Sequence, residues 1–173
     1  MAGNVYTYQV LKDTTEHVII KLTGKFDGSG QEENVARIKA NSFYGALDAN
    51  NNLLITGNTA KPYYGLTVHR IWYDTYNGAG GDLELYWRAD TPVTLAMLSG
   101  NAEYDGAGNW VTIPNNAKGT SGCTGDIGIT SRAYAANCSY TIVMELRKEN
   151  EYYQRGQFND PAAFNYTPYG LKP

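Results

Sequence analysis

Short runs in which apolar and polar residues alternate, each closed by turn residues, recur along most of this chain. Alternation of this kind puts every second side chain on one face of a strand, so each run predicts a half-buried β-strand. The runs are VYTYQVL (5–11), HVIIKLTGKF (17–26), VARIKA (35–40), NLLITG (52–57) and LTVHRIWYDTY (66–76). DLELYWRA (82–89), TLAMLS (94–99), NWVTIP (109–114), GDIGITSRA (125–133) and SYTIVMELRK (139–148) complete the series, and together they predict nine or ten strands. In LTVHRIWYD the alternation places Leu66, Val68, Arg70 and Trp72 on one face and Thr67, His69, Ile71 and Tyr73 on the other. That leaves a polar residue on each face. The stretch from 32 to 47 carries the weakest strand pattern.

The breaks are rich in turn residues: DGSG (27–30), DANNN (48–52), YNGAGGD (76–82) and DGAGN (105–109). Asn77-Gly78 suits a positive-φ turn and predicts a hairpin between IWYDTY and DLELYW. No window of convincing length has helical periodicity. The expected fold is therefore all-β, an antiparallel β-sandwich or jelly-roll-like single domain over residues 1–149.

Beyond that domain the pattern changes. Residues 150–173 hold six aromatic side chains, Tyr152, Tyr153, Phe158, Phe164, Tyr166 and Tyr169, and three prolines, with neither helical nor strand periodicity. Disordered segments persist where there is little apolar surface to bury, so this composition predicts an ordered, extended C-terminal arm. Such an arm lies across its own domain or across a neighbouring subunit. The second option makes those six aromatics interface anchors.

Composition supports the strand reading and narrows the partners. Tyr 15, Gly 19 and sixteen Asn accompany six Pro and three Met, a mixture that favours strands and tight turns. The net charge of -3 and the scattering of the basic residues provide no footprint for nucleic acid. No run of about eighteen apolar residues occurs and the N-terminus lacks a leader pattern, so no membrane partner is expected and the chain reads as soluble and unsecreted. Cys123 and Cys138 admit either a disulfide or two free thiols, and a reducing compartment favours the thiols.

Residues that could carry chemistry lack local partners. His17 and His69 each sit inside an apolar strand and read as structural histidines. Ser121 is a turn residue, and Cys123 has no conspicuous basic neighbour to activate it. Asp48, Asn50 and Asn52 match the first ligands of a calcium loop, but Leu53 stands where glycine is needed and Thr59 where the bidentate glutamate belongs. Trp72, Trp87 and Trp110 could stack on sugar rings, although tryptophans in a sandwich more often serve core or interface. No catalytic, cofactor-binding or metal-ligating residues are expected.

The run GDIGITSRAYAANCSYTIVMELRKE (125–149), with LTGKFDGSGQEEN (22–34), VHRIWYDT (68–75) and LELYWRADTPVTLAML (83–98), resembles a family of small tailed-bacteriophage virion proteins common in marine phages. The resemblance covers residues 16–149, and the long aromatic tail and the two cysteines depart from the shorter members. It implies a non-enzymatic β-sandwich virion component assembled in the host bacterial cytoplasm. The leading expectation is a capsid decoration, or cement, protein on the capsid surface, partnered by the major capsid protein and by sister copies in a homo-oligomer. A neck, tail or baseplate adaptor or fibre-attachment subunit is the alternative within structural proteins. A carbohydrate-binding module on the particle surface is the alternative from another class.

Overall fold

The computed structural model of the chain describes residues 3–32, 35–78, 80–106 and 111–154. Among the described residues nine strands lie in chain order: β1 (Val5–Asp13), β2 (His17–Lys25), β3 (Val35–Ile38), β4 (Leu66–Tyr76), β5 (Asp82–Trp87), β6 (Val93–Leu98), β7 (Asn101–Asp105), β8 (Ile127–Arg132) and β9 (Ser139–Lys148). They form two antiparallel sheets, one in the order β1-β2-β9-β4-β7 and the other β3-β8-β5-β6. The all-β sandwich expected from the alternation is the fold observed.

Alternation explains why the sheets share one core. In β2, Val18, Ile20 and Leu22 point inward, and in β9 Ile142, Met144 and Leu146 do the same. Leu83, Leu85, Trp87, Ile127 and Ile129 meet them from the second sheet in a single hydrophobic cluster. Each such side chain contributes about 1.5–3 kcal/mol when fully buried, so the interior strands, β2, β9 and β4 in one sheet and β8 and β5 in the other, contribute most to stability.

Only the β1–β2 and β5–β6 connections stay within a sheet; every other passage between consecutive strands crosses from one sheet to the other. The hairpin expected at Asn77-Gly78 is therefore corrected. β4 pairs with β9 and β7 while β5 pairs with β6 and β8, so the glycine-rich turn carries the chain between layers. Gly81 is forced there, because a Cβ on it would lie 2.0 Å from the Arg132 carbonyl oxygen.

Three other expectations change. NLLITG forms no strand: Leu53 makes one bridge to Leu47, and Ile55 is exposed. Of NWVTIP, Asn109 and Trp110 lie outside the described residues, and Ile113 makes an isolated bridge to Val68. β7, NAEYD, is a strand the pattern missed, since it is a short edge strand with mostly exposed residues.

The face assignment in β4 holds only as far as Val68. Register against β9 shifts between Val68 and Arg70, so His69 is the extra residue of a bulge. After it the inward positions become Ile71, Tyr73 and Thr75 in place of Arg70 and Trp72. A bulge sets two residues against one on the partner strand. Both His69 and Arg70 thereby reach the outer face near Glu145.

Candidate functional site

β1 is the longest of the four strands at sheet edges, and among the described residues it pairs with β2 alone. Seven of its nine positions are exposed, including Val5, Tyr8, Val10 and Leu11. Edge strands are normally blunted by charge, proline or bulges, because their unpaired backbone groups can template pairing with another chain. Here Val5–Leu11 carries no charge. A register shift at Leu11, followed by Lys12 and Asp13, blunts only the far end. This edge offers exposed apolar side chains and a row of backbone groups.

The interior strands of the same sheet carry a polar cluster that the sequence pattern did not reveal. The Thr14 side chain accepts from the His17 backbone N–H at 3.0 Å and donates to its carbonyl at 2.9 Å, closing the β1–β2 turn and fixing His17 at the start of β2. His17 Nδ1 stands 3.4 Å from Glu145 Oε1, and the His17 and His69 rings meet edge to face with centroids 5.3 Å apart. Burial, reinforced by His17, pushes His69 below the ordinary imidazole range, while Glu145 acts in the opposite direction. Arg70 pairs with Asp105 at 2.8 Å and lies 3.8 Å from Glu145 Oε2. The three residues His17, His69 and Glu145 come from β2, β4 and β9, a juxtaposition that no local spacing can signal.

A second concavity, a shallow surface cleft of about 520 Å³, is lined by Pro62, Tyr63, Lys118, Cys123 and Tyr152 among others. Tyr63 and Tyr152 pack edge to face at 5.0 Å, and the Lys118 ammonium lies over both rings at 5.6 and 5.5 Å. Lys118 also donates to Glu149 at 2.9 Å, which raises its pKa. Cys123 lies within 4.0 Å of the Asn115 amide.

The expected arm residues separate. Tyr153 is buried in its own domain, bridges Ala46, and donates its hydroxyl to the Ala40 carbonyl at 2.8 Å. That fixes it in the core, so it is not available as an anchor on a partner. Tyr152 is half-buried and forms a wall of the cleft. The domain therefore continues past residue 149, because Leu47 and Gly45 hydrogen-bond to the backbone of 152 and 154. Phe158, Phe164, Tyr166 and Tyr169 lie outside the described residues.

Other sequence candidates resolve into structure. The Asp48 carboxylate accepts from the backbone N–H groups of Asn50 and Asn52 and from the Asn58 amide, so it organises its own loop. Both cysteines are free thiols, Cys138 buried and Cys123 partly so. Trp87 is wholly buried in the core, Trp72 is half-buried on the outer face with Arg70 over its ring at 5.8 Å, and Trp110 lies outside the described residues. No protein-family model matches the chain, and no curated protein or solved structure is detectably similar to it.

Proposed function

We propose that this protein is a non-enzymatic structural component of a tailed-phage virion, a decoration protein that binds the outer surface of the major capsid shell and stabilises the head. The single observation that carries this reading is the uncharged, exposed edge strand β1, with Val5, Tyr8, Val10 and Leu11 outward. A surface of this kind on a well-packed domain fits a partner that completes the sheet or covers the patch. The resemblance over residues 16–149 supports the same reading. Many weak contacts repeated over a shell sum to a large stabilisation, because whatever binds the assembled state lowers its free energy.

A Leu11→Lys, Val10→Lys double variant tests it. The variant is expected to fold as the wild type does and to lose coating of capsids that lack the protein. Full coating by the variant would remove β1 from the account. The neck or tail reading is separated by copy number, roughly six to twenty per particle for closed rings against several hundred for a shell. The glycan reading draws on Trp72 and on Trp110, which lies outside the described residues, since Trp87 is sealed in the core.

A further inference from the structure

We infer that His17, His69 and Glu145 form a binding site for a divalent transition-metal ion of the Zn²⁺ class on the outer face of the first sheet. Three neighbouring strands, in the order β2-β9-β4, each bring one ligand atom, and these atoms lie within 4.8 Å of one another. Two imidazoles and one carboxylate are a borderline-soft donor set that suits Zn²⁺ and its neighbours and is poor for Ca²⁺ or Mg²⁺, which take oxygen ligands.

The geometry is already partly closed. His17 Nδ1 stands 3.4 Å from Glu145 Oε1, against the edge of about 3.3 Å in a tetrahedron with bonds of about 2.0–2.1 Å. The His17 and Glu145 side chains are partly exposed, at 32% and 20%. Rotations of such side chains can bring in the remaining ligand distances.

Two further features point the same way. His17 Nδ1 is buried as an atom and makes no hydrogen bond, its facing group being Glu145 Oε1 at 3.4 Å, and an ion between the two would satisfy both. The bulge at His69 is the second. It adds one outward residue to β4, so that His69 joins the cluster while Arg70 takes the place opposite Glu145. Arg70 faces Glu145 Oε2 and is held by Asp105, which leaves Oε1 turned toward His17. Arg147, paired in register with His17, and Arg70 both act on His69 as like charges and limit the affinity of the site. Three protein ligands leave a fourth position open to solvent.

The test is titration of the untagged full chain with ZnCl₂ by calorimetry, and with Co²⁺ by visible absorption. One-to-one saturable binding is expected, with the d–d bands of a four-coordinate Co²⁺ site. His17→Ala, His69→Ala and Glu145→Gln should each weaken binding at least about tenfold, whereas Cys123→Ser should leave it unchanged. Because the chain has only two histidines, NMR of their ring C–H resonances in the wild type gives a readout that does not depend on any variant folding. Both resonances should shift or broaden at one equivalent of Zn²⁺. Absence of saturable binding, unchanged affinity in His69→Ala, loss in Cys123→Ser, or a response from neither or only one histidine would overturn the site.

Discussion

Gly24 and Tyr140 face each other across β2 and β9, and the tyrosine ring occupies the space where a side chain on residue 24 would stand. A Cβ at Gly24 would lie 2.2 Å from Tyr140 Cε1. The ring cannot retreat, because it is buried and its hydroxyl donates to Glu32 Oε2 at 2.7 Å. Glu32 is held in turn by Arg37 at 2.6 Å. Gly24→Ala should therefore cost about 2–3 kcal/mol through overpacking and loss of that hydrogen bond. Urea midpoints check it, with exposed Gly3→Ala, which meets nothing within 4 Å, as the near-neutral control. The second sheet repeats the device with Tyr86 over Gly128, so Gly128→Ala should behave alike.

Lys148 is a buried cation with all three donors used. Its ammonium, with no side-chain exposure, donates to Asp13 Oδ1 at 2.5 Å and to the carbonyls of Thr14 and Tyr44 at 2.6 and 2.7 Å. Lys148→Met would leave a carboxylate and two carbonyls without their donor. Removing one partner of a buried pair typically costs 3–5 kcal/mol, and because Asp13 is one-fifth exposed the loss should be about 3 kcal/mol. Thermal denaturation at neutral pH reads it, and a loss below about 1 kcal/mol would show that water replaces the ammonium.

Alkaline pH should unfold the protein through its tyrosines. Burial raises the phenols of Tyr63, Tyr134, Tyr140 and Tyr153, with Tyr134 pushed up to about 12. A group whose pKa is raised in the fold contributes stability that is complete below its unfolded value, here 10.0, and is lost as pH climbs through the folded value. Lys148 runs the other way: burial lowers its pKa, so its contribution improves as pH rises toward 10.5. Four phenols outweigh one ammonium. Stability should fall from pH 10 upward, with phenolate absorbance rising cooperatively as the fold is lost.

The end of the domain can be located by truncation. Tyr153 belongs to the core, so a chain ending at Lys148 loses its burial and its bond to Ala40, a loss of about 3–5 kcal/mol on the scale of a large aromatic deletion. A chain ending at Gln154 keeps both, so it should be more stable than the chain ending at Lys148 by about that amount. Tyr153→Phe, which removes only the hydroxyl, should cost about 1 kcal/mol.

The strands were legible wherever a sheet buries one face, as in β2, β9 and the first half of β4. Legibility failed where that condition failed. β7 is exposed on its edge and leaves little apolar signal, while NLLITG is apolar without a full partner strand. Asn77-Gly78 marked the break between β4 and β5, but the positive φ there belongs to Gly80, and turn chemistry does not say whether the chain folds back in its own sheet or crosses to the other. His17, His69 and Glu145 were invisible as a group because they lie on three strands and depend on a bulge for their alignment. Tyr153 was hidden in a different way: its place in the core is set by Ala46 and Ala40, more than a hundred residues earlier in the sequence.

The most direct test of the proposed structural role is a reconstruction of the particles assembled in cells that express this protein. The account predicts its density on the outer surface of the head, in roughly several hundred copies, with β1 and its side chains Val5, Tyr8, Val10 and Leu11 against the shell or a sister copy. Density confined to the neck or tail, or a particle without the protein, would contradict it.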